Sequence, residues 1–174
     1  MNCSVHRDLN VLNYSIPTIM IENHNEFISR LKRETKDLSL PPLVQCAGEI
    51  YEGLTKLIKR EEIAAPYRAK CFICLGYFLI GDDIFPEDTH GPIGYIEDCL
   101  IAFDTILQIS QDLGPQGDEV ILSCFQFKTF SFQNLMEDFH LNVAKYEDLY
   151  FKALNHTGLI SDEEFALITQ QEEG

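Results

Sequence analysis

The residues best equipped for chemistry sit in one acidic stretch. Asp82, Asp83, Glu87 and Asp88 come first, His90 follows, and Glu97 and Asp98 close the run. Carboxylates in such number suit a hard divalent cation, Ca²⁺ or Mg²⁺. An imidazole in the set widens the choice to Zn²⁺ or Mn²⁺. The candidate ligands are therefore Asp82, Asp83, Glu87, Asp88, His90 and Asp98, with Glu97 beside them. The spacing is not that of an EF-hand, and no HExxH is present. The same carboxylates also have a structural use. Asp83, where a helix ends, can accept bonds from loop amides or cap the next turn. Asp98, one turn into the following helix, is favoured by that helix's dipole. Acid–base work by paired carboxylates would need a pocket that raises a pKa.

Other reactive side chains give less. Cys71-Phe72-Ile73-Cys74 has CxxC spacing but falls inside a helical pattern, without the strand and turn of a redox motif. The six cysteines are scattered, most of them inside apolar helical patterns, where they read as small core hydrophobes. His24, His90, His140 and His156 are isolated from one another in the sequence. No residue is nominated as catalytic, and the reading leans away from an enzyme. No cofactor is expected; a divalent cation is the alternative.

The elements that position these groups are helical. Apolar residues recur at three and four throughout, with no sustained alternation of period two. Asn23 and Glu26 have capping-box spacing for a first helix with Phe27, Ile28 and Leu31 inward. Its other face carries Arg30, Lys32, Arg33 and Lys36. Pro41-Pro42 restarts the chain, and Leu43, Ala47, Ile50, Leu54 and Leu57 form an amphipathic stripe to about Arg60. Gly48 and Gly53 within it suit close helix contacts. Tyr67–Ile80 is apolar nearly all round, which predicts a buried hub. Ile93 to Leu113 is its partner, ended by Gly114-Pro115-Gln116-Gly117. Asp118 is placed to cap a short helix to Phe127. A long helix is expected from Ser131 to Asn155, with Phe132, Met136, Phe139, Val143, Tyr146 and Tyr150 buried and Glu137, Asp138, Glu147 and Asp148 exposed. Ser161 and Glu164 form a capping box for a last helix. The expected fold is an all-α helical bundle of about six or seven helices around a central buried helical hairpin, 64–112. Residues 1–22 read as a poorly defined arm and 23–174 as one domain.

The central stretch resembles the YkvA-like family, a bacterial and archaeal domain of unknown function. The resemblance covers roughly residues 60–110. It rests on Tyr77, then Asp83-Ile84-Phe85-Pro86-Glu87, then Gly94-Tyr95-Ile96-Glu97-Asp98. Gly81 stands where many members have Pro, and Glu97-Asp98 replaces the usual Asp-Asp. The resemblance implies a helical hairpin and marks Asp83, Pro86, Glu87, Gly94, Tyr95, Glu97 and Asp98 as motif residues. It implies no activity.

Composition narrows the function. At 174 residues and 45% hydrophobic content, the chain can bury a core. No signal peptide or membrane-length apolar run is seen, so the cytosol is the expected compartment. The net charge is −15 and uneven. Residues 1–80 hold ten Lys/Arg against nine Asp/Glu, whereas 81–174 hold three against nineteen. Such a surface repels DNA, RNA and anionic lipid and favours a basic protein. The expected role is a small acidic interaction protein of adaptor, inhibitor or immunity type. The basic cluster near residue 30 can pair with the acidic half, in cis or in a homo-oligomer.

Overall fold

A computed structural model describes residues 24–79 and 84–171. The expected N-terminal arm, the cap at Asn23, and Asp82 and Asp83 lie outside the described residues. The described chain contains α1 (His24–Glu34), α2 (Pro42–Gln45), α3 (Ala47–Leu57), α4 (Ala65–Tyr77), α5 (Glu87–His90), α6 (Ile96–Leu113), α7 (Gly117–Cys124), α8 (Phe132–Lys145), α9 (Glu147–His156) and α10 (Asp162–Gln171). A 3-10 turn, Gly91–Tyr95, leads directly into α6, and a second, Gly114–Gln116, follows it. Among the described residues there is no strand, and the protein is an all-α bundle. Eight of the helices have eight residues or more. The eighth arises because the long helix expected over 131–155 breaks at Tyr146, whose backbone leaves helical geometry at φ −120° and ψ 34°.

The hub is α6, not α4. Twelve of its eighteen residues are buried, and it packs against α3, α4, α7, α8 and α9. Helix α4 is apolar apart from Arg68 and Lys70, and it is peripheral. It buries Cys71, Cys74, Leu75 and Tyr77 against α6 and leaves Phe72 50% exposed, with Ile73 and Leu79 also exposed. Its apolar residues fall on two faces in the sequence, and the fold buries the one with Cys71, Cys74 and Phe78 and leaves the one with Phe72 and Leu79 exposed. The stripe of α2 and α3 is as expected: Leu43, Ala47, Ile50, Leu54 and Leu57 are fully buried. Gly48 lies under the stem of Lys32 and Gly53 under the ring of Phe125, so α1 and the loop after α7 approach α3 closely.

Along α8 the buried residues are Leu135, Phe139 and Asn142, while Phe132, Met136 and Val143 of the expected stripe are half-buried and packed against the core. Phe103 of α6 sets this register by meeting Phe132 and Phe139 at ring-centroid distances of 5.5 and 5.7 Å. Ser131 and Asn134 form a reciprocal capping box at the start of α8. Ser161 and Glu164 form the expected one ahead of α10. Among the described residues, no helix is long and apolar enough to cross a membrane.

Cys46, Cys71, Cys74, Cys99 and Cys124 are reduced and buried. Burial pushes the thiols of Cys46, Cys71 and Cys74 up to about 12 and that of Cys99 well above its usual value. The thiolate is the reactive form. In a Cys3→Ser background, a thiol reagent at pH 8 is expected to label the native protein poorly and all five remaining cysteines once denaturant is added. Rapid native labelling of Cys71 or Cys74 would contradict this placement.

Candidate functional site

Of the acidic stretch, Glu97 and Asp98 are folded into the bundle. Glu97, in the first turn of α6, has no exposed surface. Its Oε1 accepts from the Tyr77 hydroxyl at 3.2 Å and from the Phe85 amide at 3.0 Å. One carboxylate oxygen therefore holds the end of α4 and the chain entering α5. Glu97 Oε2 is buried and accepts no well-aligned bond among the described residues, although the Ile84 amide also acts on this carboxylate. Asp98 is 1% exposed and close enough to Cys74 for its charge to raise that thiol. Pro86 precedes α5 and Glu87 opens it. A Cβ on Gly94 would fall on the backbone N and Cα of Glu87, so α5 lies directly against the 3-10 turn. The Tyr95 ring is buried, and its hydroxyl donates to Glu34 Oε2 at 2.9 Å. Arg30 Nη1 donates to the same hydroxyl at 3.4 Å. Burial, then the Glu34 bond, raises the Tyr95 pKa.

Burial also raises the Glu97 carboxyl, against the lowering effect of the bonds from Phe85 and Tyr77. The folded state then holds a proton on Glu97 more tightly than the unfolded chain does. That contribution to stability is complete below the ordinary value of 4.5 and is lost as pH rises through the folded value. Asp104 and Asp138 act with the same sign. Glu52 acts oppositely: bonds from Lys32 and Lys56 pull it down to about 2, so its contribution is present above 4.5 and lost as pH falls. Glu97→Gln keeps an acceptor and removes the charge. Its melting temperature, taken relative to wild type in chelator, is expected to rise between pH 5 and pH 8. A constant difference across that range would mean that Glu97 does not titrate differently on folding.

The candidate cation ligands do not gather into one shell among the described residues. Asp88 and His90 are exposed, and Glu87 is half-buried. His90 stacks on Phe85 with ring centroids 3.6 Å apart, and its Nδ1 lies 3.2 Å from the Pro86 carbonyl oxygen. No three His, Cys, Asp or Glu side chains among the described residues are placed to hold an ion.

Two further carboxylates sit inside the bundle. Asp138, expected on the exposed side of its helix, is half-buried and accepts from the Leu43 amide at 2.8 Å. The sequence carried a signal for this. Pro41 and Pro42 have no N–H, so the amide of Leu43 is the first donor of α2 and needs an acceptor. Asp104 of α6 accepts from Gln108 at 2.6 Å and from the Tyr150 hydroxyl. Asp118 does not cap α7; it accepts from Ser110 of α6 at 2.7 Å.

The remaining acids are at the surface. Glu137, Glu147, Asp148, Asp162, Glu163 and Glu164 are exposed on α8, α9 and α10. Lys152 pairs with Asp148 at 3.3 Å, with both side chains largely exposed. The basic residues of α1 do not pair with this half among the described residues. Arg30 meets Glu34, and Lys32 meets Glu52 at 2.6 Å.

No family model, curated protein or solved structure matches this chain.

Proposed function

We propose that this is a non-enzymatic interaction protein of the cytosol, whose acidic surface on α8, α9 and α10 receives the basic surface of a partner protein. An adaptor, inhibitor or immunity-type subunit has this form. One observation supports it: the exposed carboxylates of these helices far outnumber their cations, Lys145 and Lys152, while the carboxylates most suited to chemistry, Glu97 and Asp98, are enclosed in the core. An excess of one sign speeds encounter with a partner of the other and disfavours like-charged surfaces. The motif, on this reading, is architectural.

The test is capture on immobilised protein, comparing wild type with Glu137→Gln/Glu147→Gln/Asp148→Asn/Glu163→Gln. A partner identified with wild type should be lost by the variant and weakened by salt. A partner held equally by both proteins counts against the reading.

A divalent cation is the second reading. The observation favouring it is the enclosed Glu97 Oε2, which accepts no well-aligned bond among the described residues and is on the same stretch as Asp82 and Asp83. Melts with Ca²⁺, Mg²⁺, Mn²⁺ or Zn²⁺ decide it. A metal that binds the folded state at a hundred times its Kd stabilises by about 2.7 kcal/mol. Asp83→Asn and Asp98→Asn should each abolish that response.

A further inference from the structure

The chain is acidic, yet the fold collects cations in one groove. Lys32, Arg33 and Lys36 come from α1 and the turn after it, and Lys128 from the loop between α7 and α8. The groove holds about 670 Å³, within the range of sites that take ligands. Glu49 is the one carboxylate in its lining. Leu38 and Phe130 add apolar surface, and Leu38 is 84% exposed.

Part of this has a local explanation. Lys32 and Arg33 lie in the last turn of α1, where the helix dipole favours positive charge. The stem of Lys32 crosses Gly48, and its ammonium is spent on Glu52. None of that accounts for Lys128. It is one of three Lys/Arg after residue 80, and the fold carries it to the basic end of α1. Among the described residues, Arg33, Lys36 and Lys128 make no ion pair or side-chain hydrogen bond, and all three are exposed. Three cations facing one groove repel each other, and an anion between them removes that repulsion.

We propose that this groove binds a short acidic segment of another protein, carboxylates on Arg33, Lys36 and Lys128 and an apolar side chain against Leu38 and Phe130. The net charge of −15 selects this class over a long polyanion. Nucleic acid or an anionic membrane extends past the groove to the acidic surface and is repelled there. A short peptide stays within about one Debye length, ~8 Å at physiological salt, of the cations. Exposed Leu38, beside the half-buried Phe130, gives such a peptide an anchor that an inorganic anion cannot use. The proposal is independent of the acidic surface on α8, α9 and α10 and survives if that reading fails.

The experiment uses a fluorescein-labelled peptide of Asp, Glu and Leu, read by polarisation on the full chain. Binding should saturate and weaken with salt. Arg33→Glu/Lys36→Glu/Lys128→Glu should raise Kd by roughly tenfold or more, about 1.4 kcal/mol, with an unchanged helical spectrum and only the small fall in melting temperature that an acid in the last turn of α1 causes. Leu38→Ser, or Ser for Leu in the peptide, should weaken binding without altering its salt slope. Equal binding by the charge-reversed protein overturns the proposal. So does tripolyphosphate competing as well as the peptide, because the groove is then a plain anion site. Self-association of the wild type that the charge reversal abolishes also overturns it, giving the groove to a second copy of the chain.

Discussion

Phe103→Ala is expected to destabilise the protein by about 3–5 kcal/mol, the usual cost of emptying an aromatic site in a packed core. Phe103 is fully buried at the middle of α6 and touches the rings of Phe132 and Phe139. Through them it sets the register of α8. Phe139 in turn meets Tyr150 edge-on, so α9 leans on the same cluster. A cavity at this point lies between helices that cannot all close over it, which places the loss high in the range. A domain of this size has ~5–15 kcal/mol in total. Urea unfolding is the measurement, with a lower midpoint and an unchanged slope as the expected result. Phe103→Leu should lose clearly less. A loss below ~1 kcal/mol for the alanine variant would mean that α8 does not pack here.

Gly94→Ala is the second large effect, expected near the upper end of the ~1–3 kcal/mol range for overpacking. The added methyl would meet the backbone of Glu87 and Pro86, not a side chain that can swing away. Relief requires α5 to lift from the 3-10 turn. That motion pulls on Phe85, whose amide is held by Glu97. Gly76→Ala is the control, because a Cβ there meets nothing within 4 Å and Gly76 is helical. It should be neutral or stabilising by up to ~1 kcal/mol. If both substitutions cost the same, the close approach of α5 is not what Gly94 serves.

Much of the bundle was legible because helices write their inner faces at fixed spacing. The stripe Leu43, Ala47, Ile50, Leu54, Leu57 and the cap Ser161–Glu164 are local signals, and local signals were sufficient for them. Three features depended on contacts distant in sequence. The break at Tyr146 interrupts a pattern that remains helical on both sides. The hub could not be chosen between α4 and α6, since both are rich in apolar residues; what separates them is the number of neighbours, and spacing does not encode that. Asp138 has the sequence context of an exposed acid, and only the fold sets it beside the Leu43 amide. The candidate site divided in the same way. Tyr77, Glu97 and Phe85 were near enough in sequence to be suspected together. Glu34 with Tyr95, and Lys128 with Arg33, are joined only by the fold.

The Tyr95–Glu34–Arg30 contact has a kinetic consequence. It spans more than sixty residues and links α1 to the entrance of α6 through a buried hydroxyl. Helix α1 cannot fray as an independent segment without stripping that hydroxyl of its acceptor. Its amides are therefore expected to exchange with deuterium in the same cooperative unit as those at the start of α6, not with a mobile terminus. In Tyr95→Phe the two sets should separate, with the amides of α1 becoming the faster. The first described helix is then the latch by which the bundle opens and closes as one piece.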